Sequence, residues 1–193
     1  MIRDIKPKMV DYLSNKLRYN GYAQEAIKSK KPRVVCRLAL ESCVGIREVG
    51  GNNQGPMVEL IQETLGGADK EPWCMSLIQT GIAYAEEMTG IASPVYVSEH
   101  CLTVWHKTNA IHRVKLIPAI GAICIWRHGT SDSGHTACTI GEVVSKMVDM
   151  VEGNTESGIA EGEVVRDGGG VYFTNRSIKA SGNMKVVGFI KPF

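Results

Sequence analysis

The hydrophobic period changes once along this chain, near residue 118, and that change constrains the fold more than any other feature. Before it, apolar residues recur at spacings of three and four. After it, short apolar runs are separated by Gly, Asn, Asp and Ser. The first pattern is that of amphipathic helices and the second that of short strands. Helices first and strands later predict an α+β domain, with N-terminal helices packed on a small antiparallel sheet.

Residues 1–31 read as helical, with Ile2, Ile5, Met9, Leu13 and Leu17 on one face and Pro7 in the first turn. Asn20-Gly21 ends that helix or marks a turn. A second helix is expected over 34–44, closed by Gly45. The stretch GIREVGGNNQGP, 45–56, holds too many Gly, Asn and Pro residues for a regular element. A short helix follows over 57–65, then a turn through Gly66, Gly67, Ala68 and Asp69. The next helix is expected over 72–88, with Pro72 at its first position and the acids Asp69 and Glu71 at its positive end. Residues 91–118 show no clear period. Strands are expected over 120–126, 136–144, 147–152, 163–166, 171–174 and 185–190.

The 193 residues are enough to bury a core without disulfide staples. Six cysteines (36, 43, 74, 101, 124 and 138) lie scattered in apolar stretches with no CxxC pair. They read as free thiols of a chain made in a reducing compartment. Neither a secretory signal nor an apolar run of membrane-spanning length is expected. Net charge is +2, too small to argue for nucleic acid, so no nucleic-acid partner is expected. The charge is unevenly spread. Residues 1–35 carry nine Lys/Arg and three Asp/Glu, while the rest is mildly acidic. We therefore divide the chain into a basic helical arm, 1–33, and a main domain, 34–193. Such an arm suits contact with an anionic polymer or membrane surface, or is simply a solvated helix.

Cys74 is the best candidate nucleophile. Near a helix N-terminus, free N–H groups and the helix dipole stabilise a thiolate and can hold an oxyanion. A thiol nucleophile needs a base. His135 stands out because it opens the apolar run TACTIGEVV and would be held on a strand. His100, His106 and His112 have spacings that match no zinc motif, and no metal site is expected. The base needs an orienting group. Glu152 and Asn154 lie on the next strand, beyond a tight turn near Ser145-Lys146, and both would face one side. One would accept the imidazole N–H and the other would fix the ring or serve an oxyanion. Each residue alone has an ordinary structural reading: a buried thiol, a strand-end histidine, a solvated acid, a turn asparagine. Their order and spacing together are more specific.

GIREVGGNNQGPMVELI (45–61), EPWC (71–74), GAICIW and GHTACTIG (within 121–141) and VEGNT (151–155) together resemble the CHAP and NlpC/P60-type cysteine amidohydrolases. The closing VVGFIKPF resembles the last strand of the small phage-lysin and wall-hydrolase branch. The resemblance covers about residues 34–193. It implies a papain-like NlpC/P60-CHAP fold in which Cys74 is the nucleophile, His135 the general base and acid, and Glu152 the orienting carboxylate. Asn154 would help the oxyanion or the imidazole. Glu71, Trp73 and Asn53 would lie on the substrate side. The chain departs from the family in having Gly121-Ala122 where an acid commonly follows the glycine. GGADKE offers only Asp69 and Glu71 ahead of the cysteine, so no calcium site is expected, and no cofactor is needed.

By this resemblance the substrate is an amide of peptidoglycan, either the muramoyl–L-alanine link or a bond of the stem or bridge. The activity would be that of a monomeric phage endolysin. It would be made in the cytoplasm without a signal peptide and reach the wall after holin or secretion-system release. The alternatives are a secreted antibacterial amidase effector, a non-catalytic wall-binding module on the same fold, and another cysteine acyl enzyme with a different substrate.

Overall fold

Asn20 divides the first expected helix in two. The structure, a computed structural model, describes residues 2–67, 70–155 and 169–193. Helix α1 (Pro7–Leu17) carries Pro7 in its first turn, where the missing N–H costs nothing. Helix α2 (Gly21–Lys28) starts afresh because the Asn20 side chain accepts from the Ala23 N–H and caps the new helix. Helices α3 (Pro32–Ser42) and α4 (Pro56–Glu63) both begin at proline.

The basic N-terminal segment is built into the core. Met9, Leu13 and Leu17 recur every four residues along α1 and are buried. They join Ala23 and Ala26 of α2, Leu38 and Leu40 of α3 and the central helix α5 (Cys74–Thr89) in one apolar cluster. Arg3 is fastened as well. It donates from Nε to Gln79 and from Nη1 to Glu86, at 2.5 and 3.0 Å. Helices α1 and α2 thus share a core with α3 and α5.

Helix α5 is buried along most of its length, which explains its near-continuous apolar sequence. Gly81 lets α3 approach it closely, since a Cβ there would lie 2.6 Å from Leu40. The helix starts at Cys74, two residues later than expected, with Trp73 as its N-cap; Glu71 and Pro72 stay outside. Helix α6 (Cys101–Lys107) falls in the stretch without clear period. It has only seven residues and is capped by the His100 ring, which accepts from the Thr103 N–H.

Among the described residues the sheet has seven strands: β1 (Arg113–Val114), β2 (Ile123–His128), β3 (Gly134–Thr139), β4 (Met147–Thr155), β5 (Gly170–Ser177), β6 (Ala180–Ser181) and β7 (Met184–Ile190). The order is β1-β7-β2-β3-β4-β5, with β6 beside β7, and each pairing is antiparallel. The fold is therefore α+β with an antiparallel sheet. The two-residue strands β1 and β6 were not expected, being too short to show a period. Strand β3 ends at Thr139 rather than 144. The chain then leads to Ser145 and Lys146, both at positive φ, which turn it into β4. The expected strand over 163–166 lies outside the described residues.

Strand β2 is covered on both faces. Ile123 and Ile125 point to the helical core, while Cys124 and Trp126 point to a second cluster with Met150 and Phe189. Burial on both sides is why this strand reads as an unbroken apolar run. Among the described residues no helix is long and apolar enough to cross a membrane.

Candidate active site

Cys74 occupies the first turn of α5, where the backbone N–H groups have no partner within the helix. The Met75 N–H is directed at its sulfur. His135 is the second residue of β3. Gly134 before it is required by packing. A Cβ there would lie 2.5 Å from the Trp126 carbonyl and 3.1 Å from the Cys101 Cβ. The His135 ring stacks near Trp126, with centroids 5.8 Å apart and planes 29° from parallel.

Strands β3 and β4 pair Cys138 with Val151 and Thr139 with Met150. That short ladder ends one residue before Glu152, whose side chain still reaches His135 on the neighbouring strand. His135 Nε2 lies 3.1 Å from Glu152 Oε2. The other ring nitrogen, Nδ1, is not engaged by Glu152, and His135 lies close enough to Cys74 for each to shift the other's acidity. The structure thus brings Cys74, His135 and Glu152 together and gives the imidazole to Glu152 rather than to Asn154.

Glu152 is fully buried, and its four acceptor positions are filled. Oε1 accepts from Thr174 and from Arg176 Nε at 2.7 Å. Oε2 accepts from Arg176 Nη2 at 2.8 Å and faces His135. Burial alone would push the carboxyl up. Arg176, and then His135, outweigh burial and hold it at about 2. Burial would likewise pull His135 down, yet Cys74 and Glu152 raise it to about 10. Cys74 falls well below the usual thiol range. The Cys101 thiol is the largest cause; burial opposes it, and His135 and the Met75 amide add to the lowering. The arrangement favours a thiolate–imidazolium pair over a buried carboxylate.

Thr174 and Arg176 were not singled out from sequence. They alternate along β5, whose register pairs Met150 with Thr174 and Val148 with Arg176, so they share a face with Glu152. Arg176 lies two residues beyond the strand expected over 171–174, in phase with its buried face, and a buried arginine in that phase is the signal that would have found them, since such a charge needs a partner.

The four other expected site residues are placed as follows. Trp73 is fully buried and its indole N–H donates to Glu48 at 2.9 Å, so it supports the helix start rather than presenting a surface. Asn53 is also buried. It sits at positive φ and donates to the Lys70 carbonyl, tying the 45–56 loop to the segment ahead of Cys74. Glu71 is exposed, and its carbonyl accepts from Gln62. Asn154 is buried at positive φ, and its Oδ1 has no partner among the described residues. Gly153 between Glu152 and Asn154 lets β4 pass α5, for a Cβ there would lie 2.6 Å from Leu77 and 3.0 Å from Trp73.

Among the described residues no group of three or more His, Cys, Asp or Glu is arranged to hold a metal ion. Compared with protein-family models, with curated proteins and with solved structures, the chain matches none.

Proposed function

We propose that this protein is a cysteine amidohydrolase of the papain-like NlpC/P60-CHAP type that cleaves an amide of peptidoglycan. The observation that carries the chemistry is Cys74 at the start of α5 beside His135, whose far nitrogen meets the clamped Glu152. The substrate class rests on the motif series GGNNQGP, PWC, GH and EGN and its resemblance to wall hydrolases.

The Cys74 thiolate attacks the amide carbonyl and forms a tetrahedral intermediate. Free backbone N–H groups at the start of α5 stabilise the oxyanion. Asn154, buried two residues beyond Glu152, offers an amide for the same purpose or for the substrate. His135 gives its proton to the leaving amine, which leaves an acyl-enzyme. His135 then takes a proton from water, and the attacking oxygen releases the acid and restores the thiolate. Glu152 keeps the ring oriented and compensates its charge throughout. Exposed Glu71 lies on the substrate side. The basic surface of α1 and α2 meets anionic wall polymer or lipid, in a protein that acts as a monomer on the wall after release from the cytoplasm.

Purified peptidoglycan digested with wild type and with Cys74→Ala, with products read by mass spectrometry, tests the reading. Soluble fragments from wild type and none from folded Cys74→Ala support it, and the new ends name the bond. Intact wall after incubation with folded, reduced wild type, across several wall types, overturns the substrate assignment.

A further inference from the structure

The six cysteines are not equivalent. Cys43 gives its thiol to the Ala39 carbonyl and Cys138 to the Thr139 carbonyl, each within its own element. Cys36 and Cys124 are wholly buried in apolar surroundings. Burial pushes all four thiols up, so they are inert as nucleophiles. The neighbouring Cys74, and then burial, push the Cys101 thiol up as well, so what sets Cys74 and Cys101 apart is their position. Their sulfurs meet at 3.9 Å across the junction of α5 and α6, although 27 residues separate them in sequence. Both sit at the first residue of their helix, and Gly134 clears the space that Cys101 occupies beside His135. The thiolate proposed as nucleophile therefore has a second thiol as its immediate neighbour. Catalysis by Cys74, His135 and Glu152 has no use for a second thiol.

We infer that Cys74 and Cys101 form a reversible disulfide, in which Cys101 resolves the oxidised nucleophile. A hydroperoxide is the oxidant. The Cys74 thiolate attacks its outer oxygen, the O–O bond breaks, and the alcohol or water leaves with the proton that His135 carries. Cys74 is now a sulfenic acid. The Cys101 sulfur then attacks the Cys74 sulfur. The S–O bond breaks and the hydroxyl departs as water with the Cys101 proton. Overall two thiols lose two electrons, and the hydroperoxide becomes an alcohol and water. The sulfurs have to close from 3.9 Å to about 2.05 Å for the bond to form. The disulfide masks the nucleophile and keeps it from irreversible oxidation to the sulfinic acid. A dithiol reductant returns both thiols by exchange.

The test uses the full chain, fully reduced and then treated with hydrogen peroxide. Intact mass, free-thiol count and peptide mapping are read before and after dithiothreitol. The expected result is loss of two thiols, a mass lower by two hydrogens, a linked Cys74–Cys101 peptide pair and full return with dithiothreitol. Folded Cys101→Ser and Cys101→Ala should instead gain oxygen on Cys74, and the dioxygenated product should resist dithiothreitol. Wild type that gains oxygen on Cys74 while Cys101 stays open to alkylation overturns the inference, as does a linkage between other cysteines. These readouts need no wall substrate, so they are independent of the peptidoglycan assignment.

Discussion

Arg176 grips Glu152 with two nitrogens, Nε at 2.7 Å from one carboxylate oxygen and Nη2 at 2.8 Å from the other. Both side chains are almost wholly out of solvent. Removing the cation would strand a buried anion. Arg176→Ala should destabilise the fold by about 3–5 kcal/mol, measured by urea unfolding at neutral pH. Arg176→Lys should recover only part of that loss, since a single ammonium cannot serve both oxygens in the fork geometry. Equal stability of Arg176→Ala and wild type would show that the clamp contributes nothing.

The same cluster sets a pH profile. Glu152 is held at about 2, below its ordinary value of 4.5. Its contribution to stability is therefore complete above about 4.5 and is lost as pH falls through about 2. His135 moves the other way, from 6.5 to about 10. Its contribution is complete below 6.5 and is lost as pH rises through about 10. Unfolding midpoints from pH 2 to 11 should fall at both ends. Glu152→Gln should flatten the acid limb.

Thiol reactivity reads the ion pair directly. Cys74 should react with iodoacetamide well below the pH at which an ordinary thiol does, because its acidity is raised by Cys101 and His135. In Glu152→Gln the imidazolium loses its counter-charge, and the onset of alkylation should shift to higher pH. Turnover of any amide substrate should fall by about 10²–10⁴-fold in the same variant, the range of a lost acid–base contribution. An unmoved onset would detach Glu152 from the thiol.

Gly153 separates Glu152 from Asn154 and faces Leu77 and Trp73 at close range. Gly153→Ala should cost about 1–3 kcal/mol by overpacking and should displace Glu152 from His135. Calorimetry and the alkylation profile should change together. Gly169→Ala, where a Cβ meets nothing within 4 Å, is the matched control.

Leu13 is fully buried on the basic segment. Leu13→Ala should destabilise the whole domain by about 2–5 kcal/mol in a single cooperative transition. A variant with wild-type stability would mean that α1 is dispensable to the core.

Much of this architecture was legible in the sequence. The change of period near residue 118 gave helices then strands, and strong turn formers located the loops. Cys74 was expected at a helix start, His135 near a strand start and Glu152 on the neighbouring strand, and those placements follow from caps, alternation and a tight turn. Shorter elements were not legible. Helix α6 and strands β1 and β6 are held by tertiary contacts and span too few residues to show a period. Thr174 and Arg176 escaped notice because a carboxylate's partners depend on register between strands, which local pattern does not specify. Trp73 and Asn53 were expected near substrate on the family resemblance alone. Burial turns both inward, where one bonds Glu48 and the other Lys70. The partnership of Cys74 with Cys101 depends on how two distant helix starts meet.

Arg3, pinned to Gln79 and Glu86, and Leu13, buried beneath α1, make the basic segment part of the frame. A loosely tethered cationic tail can sample many headings and pull its cargo in from any of them. Charges set on a rigid frame have one heading. Any polyanion captured by Lys16, Arg18 or Lys28 therefore also orients the body behind them, and capture becomes aiming. A longer linker inserted at Ser29 would leave that aim intact, since core packing and Arg3, not the connection after α2, hold the segment.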